Sequence, residues 1–269
     1  MGRIRLEREA HLIRLVLSRP QARNAFDAES IREITEAFAE IAKTSDSASG
    51  QFAGARAVLI TGEGPSFCAG ADLAYMKSMA QYSREENLAD ANRLFAMFEA
   101  VRTCPLPVIA RVHGHVMGGA LGLVACADIV LAEAGTQFAF SEVKLGIIPA
   151  VISPFVSQRM LPAYARRYML SGELFDAEVA WRAGLVAFVG DANECNSEEA
   201  CLLRAFAAAG PSAVRSTKAL LQHIQGRDPK DPLPLREHVT QAIAERRVSA
   251  EGQEGLGAFL QRREPSWRT

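Results

Sequence analysis

The chain has 269 residues, 49% of them hydrophobic and 23% charged, with a formal net charge of −1. That composition suits one large folded domain, or a domain with an appendage, and excludes the charge-rich, apolar-poor character of a disordered chain. The balanced charge supplies no global positive field for nucleic acid or acidic lipid, so an anionic ligand has to be held locally.

In chain order, residues 1–20 (MGRIRLEREAHLIRLVLSRP) interrupt their apolar positions with Arg and Glu, unlike the unbroken centre of a secretory signal, and read as a first strand or hairpin. Aliphatic runs at Leu12–Leu17, Ala57–Thr61, Val108–Val112 and Ile129–Ala132, bounded by Gly, Pro or charged residues, predict strands. Between the first two, Ile31, Ile34, Phe38 and Ile41 recur at helical spacing, predicting a helix over Ala28–Ala42 capped by Asp27. A second helix is expected after Asn87, with Leu94, Phe95 and Phe98 on one face. Strand alternating with helix points to an α/β architecture. The stretch Val116–Ala132 is apolar but broken by glycines and Asp128, so it reads as a buried helix and strand, not a membrane span.

Beyond Asn196 the chain turns alanine-rich and helical over Glu198–Ala209, Ala213–Gln225 and Leu235–Arg246. The polar stretch Gly190–Ser197 reads as a linker, which divides the chain into residues 1–195 and a helical module, 196–269. Cys68, Cys104, Cys126, Cys195 and Cys201 form no C-x-x-C pair, and their odd number argues against a complete disulfide framework and for a reducing, cytoplasmic compartment.

Two glycine-rich segments carry the chemistry. In TGEGPSFCAGADLAYM (61–76) a buried strand runs into a loop whose glycines allow close backbone approach to a ligand; a tight surface turn is the plainer alternative. In PVIARVHGHVMGGALGLVACADIVLA (107–132) a strand breaks and passes through Gly118 and Gly119 into an apolar helix, whose free N–H groups and positive dipole end suit developing negative charge; close helix packing is the alternative there. One backbone N–H from each segment is what an oxyanion hole requires when a thioester carbonyl becomes an enolate.

SFCAGADL followed by HGHVMGGALGLVACADI resembles the paired signature of the enoyl-CoA hydratase/isomerase (crotonase) superfamily, and the similarity extends from Leu12 to Arg263. The resemblance implies a crotonase fold of repeated ββα units, a C-terminal helical module used in trimers or hexamers, and an oxyanion hole made by the N–H groups of Ala71 and Gly119. It also covers FAFSEVKLGIIP, where Glu142 matches the family's catalytic carboxylate. Typical hydratases carry a second Glu three residues beyond the oxyanion glycine, where this chain has Gly122. A single carboxylate permits either hydration or double-bond isomerisation. GALGL and IIPAVISPF resemble bacterial 3-methylglutaconyl-CoA or isohexenylglutaconyl-CoA hydratases, which favours hydration of a branched glutaconyl-CoA.

CoA contacts are implied for Arg23 and Ala25 in RPQARNAF, for Ala69 and Asp72 beside the hole, and for Phe259 and Arg262 in GAFLQRREPSW, the last two reaching a neighbouring subunit's ligand; a solvated surface arginine is the equal alternative for Arg23. Asp72 and Asp128 also read as cap or loop hydrogen-bonding residues. No cofactor beyond the substrate's own CoA is expected. No metal is expected either, since His113 and His115 lack an obvious third ligand. Lys144 and His115 are candidates to hold a substrate carboxylate, and Trp181 and Trp267 read as packing residues. An RNA-binding role fits poorly, because the first helix sets Asp27, Glu29, Glu33, Glu36 and Glu40 against only Arg32 and Lys43. A non-catalytic acyl-CoA binder is disfavoured by the intact Glu142.

Overall fold

A computed structural model describes residues 2–45, 51–225 and 233–268. The chain opens with a hairpin, β1 (Ile4–Glu9) and β2 (Leu12–Leu17), as its interrupted hydrophobic pattern predicts. Helix α1 (Ala28–Thr44) follows, started by a capping box between Asp27 and Ser30. Then come β3 (Ala57–Gly62), the short α2 (Leu73–Met79) and α3 (Arg84–Arg102). The third helix begins before Asn87 because Ser83 and Glu86 form a capping box of their own, a signal present in the sequence as S-x-x-E.

Next are β4 (Val108–Val112), β5 (His115–Met117), α4 (Gly119–Cys126), β6 (Ile129–Glu133) and β7 (Gln137–Ala139). They lead to α5 (Ser153–Arg159), α6 (Pro162–Ser171), β8 (Phe175–Asp176), α7 (Ala177–Arg182) and β9 (Phe188–Gly190). Helices α8 (Ala192–Ala208), α9 (Pro211–Gln225), α10 (Leu233–Val248) and α11 (Ala250–Gln261) complete the chain.

The main sheet runs β1-β2-β3-β4-β6-β9, parallel except for the hairpin, and β5-β7-β8 form a smaller sheet. Side-chain alternation gives each face of the main sheet its own core. Ile13, Leu15, Val58, Ile60, Val108 and Ala110 join the large cluster with Ile34 and Phe38 of α1 and Phe98 of α3. Leu12, Ala57, Leu59, Ile109 and Leu131 face the other way, under Leu202, Leu203 and Phe206 of α8.

That second core corrects the expected linker at Gly190–Ser197. Asp191 caps α8 through Asn193 and Glu194, and Cys195 is fully buried with its thiol directed at the Ala132 carbonyl. The polar residues that suggested a linker are a helix start, and the 195/196 boundary falls inside a helix that covers the sheet. Trp181 is also corrected, being 53% exposed, whereas Trp267 is half-buried and donates its indole N–H to Ala208.

Candidate active site

The two glycine segments meet beyond the C-terminal ends of β3 and β4. Residues 67–68 run beside β5, with Phe67 donating to His113 O at 2.9 Å, Cys68 to His115 O at 3.1 Å and Met117 to Cys68 O at 3.1 Å. Gly70, at φ +90°, completes the approach: a Cβ there would stand 2.7 Å from the Met117 carbonyl oxygen. Only glycine tolerates both that backbone conformation and that proximity.

Ala71 is held from the other side by Phe26. The Phe26 N–H donates to Gly70 O at 2.7 Å, and the Asp72 N–H to Phe26 O at 2.8 Å. The Phe26 ring reaches across to the second segment, 3.6 Å from where a Cβ on Gly119 would lie. Among the described residues neither Ala71 N–H nor Gly119 N–H donates a hydrogen bond within the protein. Gly119 opens α4, where the first N–H groups have no intrahelical acceptor. The structure therefore brings together the two expected donors, both unspent.

Glu142 arrives by strand pairing. β7 lies parallel to β5 with Met117 opposite Ala139, and Gly118 N–H donates to Ala139 O at 2.9 Å. The chain then turns through a 3-10 segment, Glu142–Leu145, and the Glu142 side chain lies back against Gly118. A Cβ on Gly118, whose φ is +50°, would lie 3.4 Å from Glu142 Oε1. Oε2 is buried without a partner. Burial pushes the Glu142 carboxyl above the ordinary carboxylate range, offset only in part by its own backbone N–H. A carboxylate raised in this way, beside donors with nothing to bind, is equipped to take a proton and give it back.

The second carboxylate's place is closed. A Cβ on Gly122 would stand 2.5 Å from Cγ2 of Ile152 and 2.8 Å from Cζ of Phe98. The glycine and the AVIS segment expected from sequence are two halves of one packing arrangement.

Other candidates distribute unevenly. Arg23 is exposed, in the left-handed region, without an ion pair among the described residues, and its carbonyl accepts from Ala69 N–H at 3.0 Å. Ala25 is buried and its carbonyl accepts from Arg19. Asp72 serves as the cap the sequence suggested: Oδ1 caps α2 through Ala74 and Tyr75, and Oδ2 pairs with Arg19. Asp128 likewise accepts from Val108 N–H and from Lys218. His113 and His115 bond to Gly64 O and Ser66 Oγ, bracing the first glycine loop. Lys144 lies against Gly172 and exerts its charge on Glu173. Phe259, 81% exposed, stands on α11, which packs on α9 and α10, and Arg262 caps the C-terminal end of that helix.

Sequence reasoning missed Arg19 and Asn24. Buried Asn24 donates to Glu63 O and Ser66 O, and its Oδ1 accepts from Arg19 N–H. Asn immediately after Arg23 in a Pro-bounded turn was the available signal, since Asn tolerates positive φ. A cavity of about 680 Å³ lies elsewhere, at the far end of α4 between Cys126, Ile129, Phe206 and Lys218; Asp128 lines it, and Ala71, Gly119 and Glu142 do not.

Residues 7–269 match the model of the enoyl-CoA hydratase/isomerase family. The chain belongs to that family. It is similar to a crotonyl-CoA hydratase of Syntrophomonas wolfei (29% identity over 97% of this chain and 96% of the relative) and to an (E)-benzylidenesuccinyl-CoA hydratase of Thauera aromatica (28%, 98% of each). The crystal structure of an enoyl-CoA hydratase from Shewanella pealeana superimposes with a TM-score of 0.90 at 35% identity, covering 99% of this chain and 96% of that one. The fold is the crotonase fold, and the protein is an enzyme of the enoyl-CoA hydratase/isomerase class.

Proposed function

We propose that the enzyme hydrates a 2-enoyl-CoA, or dehydrates its product, with a branched glutaconyl thioester such as 3-methylglutaconyl-CoA as the preferred acyl class. The observation that carries this reading is Glu142, half-buried, raised in pKa and lying against Gly118 beside the unspent N–H groups of Ala71 and Gly119. In the hydration direction its carboxylate removes a proton from water as the water oxygen bonds to the β-carbon. The double-bond electrons move to the α-carbon and thioester oxygen, and the resulting enolate is stabilised by the two N–H donors. The Glu142 acid then returns the proton to the α-carbon, which regenerates the carboxylate.

The closure of the second-carboxylate site by Ile152 and Phe98 supports a one-carboxylate route. A distal substrate carboxylate supplies remote binding energy that fixes the β-carbon and water beside Glu142. The similarity to a hydratase of benzylidenesuccinyl-CoA, a thioester with a second carboxylate, is consistent with that class. The CoA moiety is assigned to Arg23, Ala25 and Ala69 from one subunit, with Phe259 and Arg262 from a neighbour in a trimer or hexamer. Exposed Val248, Leu256, Phe259 and Leu260 on the last two helices favour such an assembly. No cofactor beyond the substrate's CoA enters this scheme.

The test compares kcat/KM for 3-methylglutaconyl-CoA, crotonyl-CoA and a 3-enoyl-CoA under one set of conditions, with Glu142→Gln as control. The branched substrate should lead, and the variant should lose roughly 10² to 10⁴ in turnover. Faster crotonyl-CoA hydration removes the acyl assignment, and exclusive conversion of the 3-enoyl substrate to the 2-enoyl isomer moves the enzyme to the isomerases.

A further inference from the structure

We infer that Arg19 is a positioning residue that sets the oxyanion donor Ala71 by tying together the caps of two helices. Its side chain is only 14% exposed and its guanidinium reaches three acceptors on two separate segments. Nη1 lies 3.0 Å from Ala25 O and 2.9 Å from Asp27 Oδ2, and Nη2 lies 3.0 Å from Asp72 Oδ2. Asp27 caps α1 and Asp72 caps α2.

Between these caps lies the backbone bridge that holds Ala71. Phe26, flanked by Ala25 and Asp27, exchanges hydrogen bonds with Gly70 and Asp72, which flank Ala71. Arg19 grips the residue on either side of Phe26 and the residue following Ala71. Both halves of the bridge are thus fixed to one planar cation, and the Phe26 ring carries the constraint on toward Gly119. A guanidinium does this because its rigid fork serves several acceptors at once, whereas an ammonium is a compact point charge on a flexible stem. Without it Asp72 loses its only ion-pair partner among the described residues, while Asp27 keeps Arg3 at 2.9 Å. The Ala71 peptide then gains freedom to turn its N–H away from the enolate oxygen. Geometric errors on the order of 1 Å suffice to cost about 10² in rate.

This inference rests on the proposed oxyanion role of Ala71. Its test uses full-length protein and two thioesters: butyryl-CoA, which reports ground-state binding, and acetoacetyl-CoA, whose enolate is visible by ultraviolet absorbance and grows when a hole stabilises it. Arg19→Met should reduce the bound enolate fraction and lower kcat for crotonyl-CoA by about 10- to 100-fold. Its KM and its Kd for butyryl-CoA should stay within about threefold of wild type. Arg19→Lys should recover part of the enolate signal, and Arg3→Gln, which disturbs Asp27 alone, should leave it unchanged. Asp72→Asn should reproduce the Arg19→Met loss and serves if that variant does not fold.

Unchanged enolate absorbance and kcat in folded Arg19 and Asp72 variants, with only a lowered Tm, would overturn the positioning role. Equal losses in Arg3→Gln would overturn it too, by showing a general effect of charge. If wild-type protein itself gives no enolate signal with bound acetoacetyl-CoA, the oxyanion reading fails first and the role of Arg19 falls with it.

Discussion

The Cγ2 methyl of Ile152 fills the space beside Gly122, 2.5 Å from where a Cβ on that glycine would stand. Phe98, fully buried, closes the same space from α3. Restoring a family-typical carboxylate by Gly122→Glu therefore should not create a two-carboxylate hydratase. Even Gly122→Ala should overpack this contact and cost roughly 1–3 kcal/mol, measured by urea denaturation. Ile152→Ala opens room for the new methyl, so the double variant should be more stable than the two single losses predict, with a coupling of about 1 kcal/mol or more. Additive losses would show that the two residues do not share this space.

Gly70 makes a complementary prediction about the proposed hole. Alanine there meets both a φ of +90° and the Met117 carbonyl at 2.7 Å. The backbone strain costs about 1–3 kcal/mol. Relief of the clash separates the Ala71 and Gly119 segments, so kcat should fall by about 10². The check is kcat and KM for crotonyl-CoA well below the variant's Tm, where a loss confined to stability would count against this geometry.

Much of this was legible because the relevant signals are local. Aliphatic runs and the 3.6-residue spacing of Ile31, Ile34, Phe38 and Ile41 located the sheet and its first helix, and glycine clustering located both loops. Three-residue strands such as β5 and β7 are too short to produce a period, yet their pairing is what carries Glu142 back to Gly118. Arg19 is legible only in three dimensions, since its partners Asp27 and Asp72 come from different segments. The Gly190–Ser197 stretch misled for a physical reason: helix caps and linkers draw on the same polar residues, and Asp191 with Glu194 is a capping box.

The pH dependence follows from the burial of Glu142. Its carboxyl is raised, so the carboxylate proposed to act as base forms only above the ordinary Glu range near about 4.3, and the acid limb of kcat/KM with crotonyl-CoA should lie correspondingly higher. The same shift has a consequence for stability. A carboxyl raised by folding contributes stability below its unfolded pKa and loses it as pH rises through the folded value. Glu142→Gln, neutral throughout, should therefore unfold at a higher Tm than wild type at neutral pH, with the difference closing toward pH 4. Thermal scans across that range measure it, and a destabilised Gln variant at pH 7 would contradict the burial penalty.

A last prediction separates stability from catalysis. Lys218 of α9 is 8% exposed, and its ammonium donates to Leu106 O at 2.9 Å and to Asp128 Oδ2 at 2.6 Å, tying the helix to the base of the sheet. Lys218→Met keeps most of the stem but removes these charge-assisted bonds, which should cost about 1–3 kcal/mol. Asp128 retains the Val108 N–H at 2.7 Å and is partly exposed, so the loss should stay in that range instead of reaching that of an isolated buried charge. The contact lies at the C-terminal end of α4, whereas Gly119, the proposed oxyanion donor, opens the same helix about 10 Å away, given its rise per residue. Folded Lys218→Met should accordingly keep kcat and KM within about twofold of wild type while unfolding at lower urea. A substantial fall in kcat without a change in unfolding midpoint would show that α9 acts on the hole through α4.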